Sequence, residues 1–371
     1  MVHRSLAVRL TALLLLGALA AFGIWGCSDS DVTGPPAPAQ DDSYLKSAAN
    51  PNIRAVMAIQ DRHTPALMAD PDVVGTATTV DENGQPAILV LVLSDKARRG
   101  TPAFIDDVRV VTQVTDRIVA MRGPPSSGSD HTAKQTAPIQ LGTTGGWRYD
   151  LANGYCCGGT LGSLIQVGGT KRILSNYHVF EADIVAGGNG IVATTGDPIV
   201  HPGLIDIGCV ATNGYDVATL VVTSSLPNNN VDCSTANIIT GMVDPSGAIL
   251  EVGTLSAATV AAYVGQPVKK SGRTTGLTRS TVSALNGTVS IAYENECAGG
   301  AAFTKTFTGQ IIVGQRASKF LAGGDSGSLL IQDVTTDPGA IGLLFAGSSS
   351  TAIANPIDEV LGFLGATMVG N

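Results

Sequence analysis

Ser326 lies in Gly323-Gly324-Asp325-Ser326-Gly327-Ser328, a run whose glycines let the backbone turn sharply around one hydroxyl. A serine hydroxyl attacks a carbonyl only when a base takes its proton and donors hold the oxyanion that forms. The turn itself can supply the donors, because the amides of Gly324 and Ser326 can converge on one point. The base has to come from elsewhere in the chain, which has five histidines. His3 belongs to the extreme amino terminus, His63 stands beside Asp61 and Arg62 at the end of a helical stretch, and His131 falls in a polar segment of small residues. His201 precedes Pro202 in a loop-like stretch. His178 instead ends an apolar run, Ile173-Leu174-Ser175-Asn176-Tyr177-His178-Val179, where a strand can hold an imidazole against a serine. It is the expected general base. The competing readings are a plain Gly/Ser/Asp turn, in a chain with 45 glycines, and a histidine satisfied inside a core.

These groups need a rigid scaffold, and the chain can build one. It has 371 residues, 44% of them hydrophobic, enough for two domains or one large β unit. Charged residues make up 14%, the net charge is -8, and there is no basic run beyond the first residues, so nucleic acid is not an expected partner. From residue 144 to 371 short β-branched runs alternate with Gly, Asn, Pro and Asp. That rhythm predicts a double barrel or a sandwich, closed by a short helix at Pro356–Leu361.

Upstream, residues 44–122 predict a small α+β domain. Apolar residues recur at helical spacing from Tyr44 to Met68, with a break or early turn at Pro51. Strands at Val73–Val80 and Pro86–Ser94 flank the hairpin signal Asp81-Glu82-Asn83-Gly84, and Val108–Val119 adds a third strand of an antiparallel sheet. Residues 123–143 are expected to be a linker.

The first 27 residues carry His3, Arg4 and Arg9 before the apolar stretch Leu10–Ile24, the pattern of an export signal. Ile24-Trp25-Gly26-Cys27 resembles the bacterial lipoprotein signal, which implies lipidation at Cys27; ordinary secretion and a retained anchor are the alternatives. Residues 28–43, with Gly34, Pro35, Pro36 and Pro38, read as a flexible tether. The membrane is thus expected as a partner only through a lipid on Cys27, and the protein as exported, either anchored in the cell envelope or secreted. Of the other cysteines, Cys156, Cys157, Cys209, Cys233 and Cys297, the odd count predicts two disulfides and one free thiol. Their spacing does not suit a metal site.

The order His178, an aspartate, then Gly-Asp-Ser-Gly resembles the chymotrypsin/trypsin-like serine proteases, over about residues 155–363. Ser175-Asn176-Tyr177-His178 resembles that family's histidine-bearing strand end, Ser271–Thr278 its strand entering the second barrel, and Gly342–Gly347 its substrate-binding strand. The chain looks most similar to the bacterial members. The resemblance implies a mainly β fold of two antiparallel barrels, a catalytic trio of His178, Asp232 and Ser326, an oxyanion hole at Gly324 and Ser326, and a protein or peptide substrate. It implies no cofactor. Asp216 is the other candidate for the carboxylate. The interval from Asp232 to Ser326 fits the family, whereas Asp216 fits only the interval from the histidine somewhat better. By the family's spacing Phe320 is expected at the base of the substrate pocket and Gly347 on its wall. No Arg or Lys followed by Ile-Val-Gly-Gly is present, so activation by a freed amino terminus pairing with Asp325 is not indicated. A binding or scaffold protein that kept the fold, and an esterase using the same residues, are the rival readings.

Overall fold

The computed structural model describes residues 42–120, 130–152, 155–181, 193–293 and 303–371, so the expected signal, Cys27, Cys297 and all of the tether before Asp42 lie outside it, while Asp42 and Ser43 begin a helical turn that ends at Leu45. Helix α1 (Pro51–Leu67) begins at Pro51, because Asn50 caps it by accepting the Asn52 N–H at 2.8 Å and a first-turn proline forgoes no helical hydrogen bond. Its buried face is Ile53, Val56, Gln60 and Thr64, at the spacing of one helical side. It covers the hairpin of β1 (Val73–Val80) and β2 (Pro86–Val92), turned at Gly84 with φ +75°.

Strand β3 (Val108–Val114) is shorter than the predicted run and lies parallel to β2, with Ile88 opposite Val110. The expected antiparallel sheet is therefore mixed. The helical turn Asp95–Gly100 carries the chain across, so that it re-enters the sheet in the same direction. A two-residue strand, β4 (Val119–Ala120), follows.

The first barrel contains β5 (Thr143–Trp147), β6 (Gly159–Leu161), β7 (Ser163–Val167) and β8 (Thr170–Ser175), followed by α2 (Tyr177–Phe180). Next come β9 (Pro198–His201), β10 (Tyr215–Val221) and β11 (Ser234–Ile238). They pair in the order β7-β8-β11-β10-β9-β5-β6. Only Gly162 separates β6 from β7, and its N–H donates to Leu174 O at 3.0 Å, so the ladder returns to the strand where it began. Residues 130–143, expected to end a linker, are packed instead. Ile139 and Leu141 are fully buried in this barrel's core, and the buried His131 bonds Gly142 O and the Glu251 carboxylate.

The second barrel comprises β12 (Pro267–Gly272), β13 (Gly276–Tyr293), β14 (Phe303–Gly314), β15 (Leu329–Gln332), β16 (Ala340–Gly347) and β17 (Thr351–Pro356). Their order is β12-β15-β16-β17-β14-β13, and β13 pairs back onto β12, which closes it. Helix α3 (Ile357–Leu364) ends the unit where a closing helix was predicted, and β18 (Ala366–Met368) returns to β7. The long β13 continues past its barrel and pairs with β1, Gly75 opposite Val289. The strands of residues 44–122 are thus joined by a backbone ladder to the second barrel's sheet, and Gln60 of α1 and Asn286 exchange hydrogen bonds across the join.

Candidate active site

His178 lies in α2, one turn that starts where β8 leaves its barrel. Its ring is buried and its Nδ1 lies 2.6 Å from Asp232 Oδ2. Asp232 is fully buried, and its carboxylate is held from several sides. Oδ1 accepts the Tyr177 N–H at 2.8 Å, and Oδ2 also accepts the Tyr293 hydroxyl at 2.8 Å. The Asp232 backbone is fixed as well: its carbonyl accepts Asn176 Nδ2 at 2.7 Å and its N–H donates to Asn355 Oδ1 at 2.9 Å. In a neutral imidazole the Nδ1–H that bonds this carboxylate leaves Nε2 as the lone-pair nitrogen. That Nε2 is buried and, among the described residues, has no hydrogen-bond partner. Asp216, the other candidate, pairs with Arg148 on the half-exposed flank of β10 and does not approach the imidazole.

The serine comes from the other barrel. Gly324 and Gly327, on either side of Asp325-Ser326, have φ +94° and +92°, values that L side chains rarely adopt. A Cβ at Gly327 would come within 2.3 Å of Ser175 Oγ, and one at Gly324 within 2.5 Å of the Arg273 guanidinium. Glycine is therefore required twice, once by conformation and once by space. Among the described residues the Gly324 N–H donates to no backbone carbonyl.

Ser326 is fully buried and its Oγ lies 3.2 Å from Phe345 O, to which it donates. Its carbonyl accepts the Thr160 N–H of the first barrel at 2.8 Å. A Cβ on Gly159 would meet Val179, next to His178, at 2.6 Å and Ser326 O at 3.0 Å. The nucleophile loop and the histidine turn thus approach one glycine of β6 from opposite sides.

Asp325, beside the nucleophile, is locked internally. Its Oδ1 accepts the amides of Thr274 and Thr275 at 2.8 and 3.1 Å, and its Oδ2 accepts Thr275 Oγ1 at 2.7 Å and the Ala322 N–H at 3.0 Å. Lys270 Nζ lies 3.4 Å from Oδ2, with both side chains fully buried. Burial lowers the Lys270 ammonium below its ordinary value, and the Asp325 charge opposes that shift. A lysine of β12 thus supplies a buried cation for Asp325. Arg273, one residue beyond β12, clamps Asp206 of the first barrel through two bonds of 2.7 and 2.6 Å.

Asp232 bonds His178 directly, and Ser326 O and Val179 lie against the same glycine of β6, whereas Phe320 goes to the core. That ring is 2% exposed and belongs with Val268, Leu330 and Leu344 in the second barrel's apolar cluster. An aromatic on an apolar loop is drawn inward, so the expected pocket base is corrected to a core residue. Gly347 is instead paired to Val119.

Cys156 and Cys209 form a disulfide and Cys157 is disulfide-bonded as well, while Cys233, next to Asp232, is a buried free thiol. Burial first, then the charges of Asp232 and Glu181, push that thiol well above its usual value, which makes it unreactive. Sequence reasoning missed Tyr293 and Lys270. For Lys270 a signal existed, since a lysine inside Val268-Lys269-Lys270-Ser271 of a strand entering a core needs a buried counter-charge.

A family model described as the Nal1 C-terminal domain matches residues 226–355. No curated protein gives a significant match. Similar solved structures include a glutamic acid specific serine protease, at 20% identity and TM-score 0.39, covering 62% of this chain and 100% of that one. Protease A of Thermobifida fusca shares 20% identity at TM-score 0.40, over 63% of this chain and 99% of that one. A chymotrypsin of Cellulomonas bogoriensis shares 20% identity at TM-score 0.38, over 63% and 99%. The chain's structural neighbours are thus chymotrypsin-like bacterial serine proteases, and its fold is mainly β with the two-barrel arrangement built strand by strand above.

Proposed function

We propose that this protein is a serine endopeptidase. His178 Nε2 takes the Ser326 proton as Oγ attacks a peptide carbonyl, and Asp232 keeps the imidazole in the needed tautomer and stabilises its positive charge. The Gly324 and Ser326 amides hold the oxyanion, at roughly 2.7–4 kcal/mol for a donor of this kind. His178 then returns the proton to the leaving amine. Water repeats the sequence on the acyl-enzyme, with His178 again as base. The observation that carries the reading is the buried 2.6 Å contact of Asp232 with His178 Nδ1, with an Nε2 that has no hydrogen-bond partner among the described residues and a serine whose glycine-flanked turn reaches the same glycine of β6 as the histidine turn.

The decisive experiment is labelling with a fluorophosphonate probe, alone and as Ser326→Ala, beside hydrolysis of an unfolded protein substrate. Labelling of the native chain and its loss in the variant are expected. A native chain that stays unlabelled, with the Thr115–Ser350 contacts described below released, would hand the assignment to the scaffold reading.

The Cys156–Cys209 disulfide supports an oxidising compartment. We assign export to residues 1–27 and lipid anchoring to Cys27. Cys27→Ser should move the protein from the membrane fraction or leave it unprocessed, and unchanged mass and fractionation would remove the anchor from the reading.

A further inference from the structure

The edge of β16 next to the nucleophile is partnered on both sides of Phe345. Leu344 exchanges backbone hydrogen bonds with Gly327 and Ser328, both at 3.0 Å, and Phe345 O accepts the Ser326 hydroxyl. The next two residues, Ala346 and Gly347, face Ala120 and Val119 of β4, which runs antiparallel to them. Ile118 is fully buried in the cluster that holds Tyr177, Phe345 and Ala346, and its carbonyl accepts the Ala292 N–H at 3.0 Å. Thr115 Oγ1 lies 2.7 Å from Ser348 Oγ and accepts the Ser350 hydroxyl at 2.9 Å, while Asp116 accepts that of Ser349. Val119 and Ala120 therefore lie as an added strand on the edge of β16 two residues beyond Leu344, and Thr115 and Asp116 fasten the segment to Ser348–Ser350 through side chains.

An open edge binds any extended peptide through its main chain, with side-chain positions setting preference. A peptide whose carbonyl is to meet Ser326 needs this edge. Resting on the proposed role of Ser326, we infer that residues 115–120 are an intramolecular occupant of the substrate edge. The folded chain is self-blocked, and the substrate that replaces the occupant is an extended polypeptide with small or β-branched aliphatic residues where Val119 and Ala120 lie. A tethered occupant competes at an effective concentration on the order of millimolar, enough to exclude weak substrates.

The test locks and releases the strand. The hydroxyls of Thr115 and Ser348 already face each other, so Thr115→Cys with Ser348→Cys should close a disulfide. The oxidised form should label with fluorophosphonate and cleave peptide at least tenfold more slowly than the same protein reduced, with the native chain in the same reductant as control. Ile118→Asp, which puts a charge into the buried site, should label at least tenfold faster than the native chain. Equal rates for the locked and reduced forms would overturn the inference, whether or not Ile118→Asp folds. Binding of the synthetic hexapeptide Thr-Asp-Arg-Ile-Val-Ala, followed by anisotropy, separates the two readings. If it binds the released form and not the locked one while no form labels, the edge assignment stands and Ser326 as nucleophile fails.

Discussion

Asp232 and Asp325 are both fully buried, both accept several hydrogen bonds, and both stand beside a residue of the proposed machinery, yet they do opposite things. Asp232 meets neutral or titratable donors: two backbone amides, the Tyr293 hydroxyl and an imidazole. Among the described residues no lysine or arginine pairs with it, so in the proposed mechanism it stabilises a positive charge that exists only while His178 carries a second proton. Asp325 meets a lysine that shares its burial, together with amides of Ala322, Thr274 and Thr275. That charge is already balanced and holds a loop in shape. The same side chain at the same burial thus serves a proton transfer or a scaffold according to whether its cation is transient or fixed.

The largest effect should come from removing the transient partner's anchor. Asp232→Asn should lower kcat for peptide hydrolysis by around 10⁴, the scale of the handled tautomer in a His-Asp pair, while Asp216→Asn stays within a few-fold. The reverse order would exchange the two carboxylates and remove the distinction drawn between Asp232 and Asp325. At the fixed pair, Lys270→Met strands a buried carboxylate and should cost about 3–5 kcal/mol in denaturant unfolding. Adding Asp325→Asn to Lys270→Met should recover part of that loss. A double variant no more stable than the single would mean the lysine stabilises through its bonds to Thr275 and Gly276 rather than through Asp325.

Much of this was legible in the chain itself. Ser326 and His178 announce themselves through glycine spacing and an apolar run ending in a histidine, and the hairpin at Asp81–Gly84 and the closing helix follow local rules. Asp232 needed the family's intervals, because nothing local separates it from Asp216. What could not be read is what depends on long-range pairing: the parallel placement of β3, the join of β1 to β13, the return of β4 to β16, and the packing of residues 130–143 against the first barrel. Phe320 shows the limit of spacing from the other side, since an interval places a residue along the chain but the apolar cluster decides where its ring goes.

Tyr293 tests the transient side more gently. Its hydroxyl is one of the donors to Asp232 Oδ2, and its ring stacks on Phe303 at 4.7 Å. Tyr293→Phe keeps the stack and deletes one bond to a charged acceptor, of roughly 1.5–3 kcal/mol. It should lower kcat by about tenfold or somewhat more with KM nearly unchanged. A kcat within twofold of native would show that the amides alone hold the carboxylate.

The smallest effect extends the comparison to two buried histidines of the first barrel. His178 Nε2 has no hydrogen-bond partner among the described residues, whereas His201 donates Nδ1–H to Thr144 O at 2.7 Å and accepts the Gln135 N–H on Nε2 at 3.1 Å. His201 is thus held neutral, and burial lowers it below its ordinary 6.5, with the bond to Thr144 opposing. Because the unfolded chain binds the proton more readily, the stability this ring contributes is complete above about pH 6.5 and is lost as pH falls toward the depressed folded value. His201→Gln should lower the Tm at pH 7 and flatten its decline between pH 6.5 and 5, while the pH profile of kcat stays where it was. If the slope of Tm survives the substitution, the acid sensitivity lies with other groups; if the kcat profile moves with it, the two histidines are not independent, and the separation of a proton-carrying site from a structural one fails in this barrel.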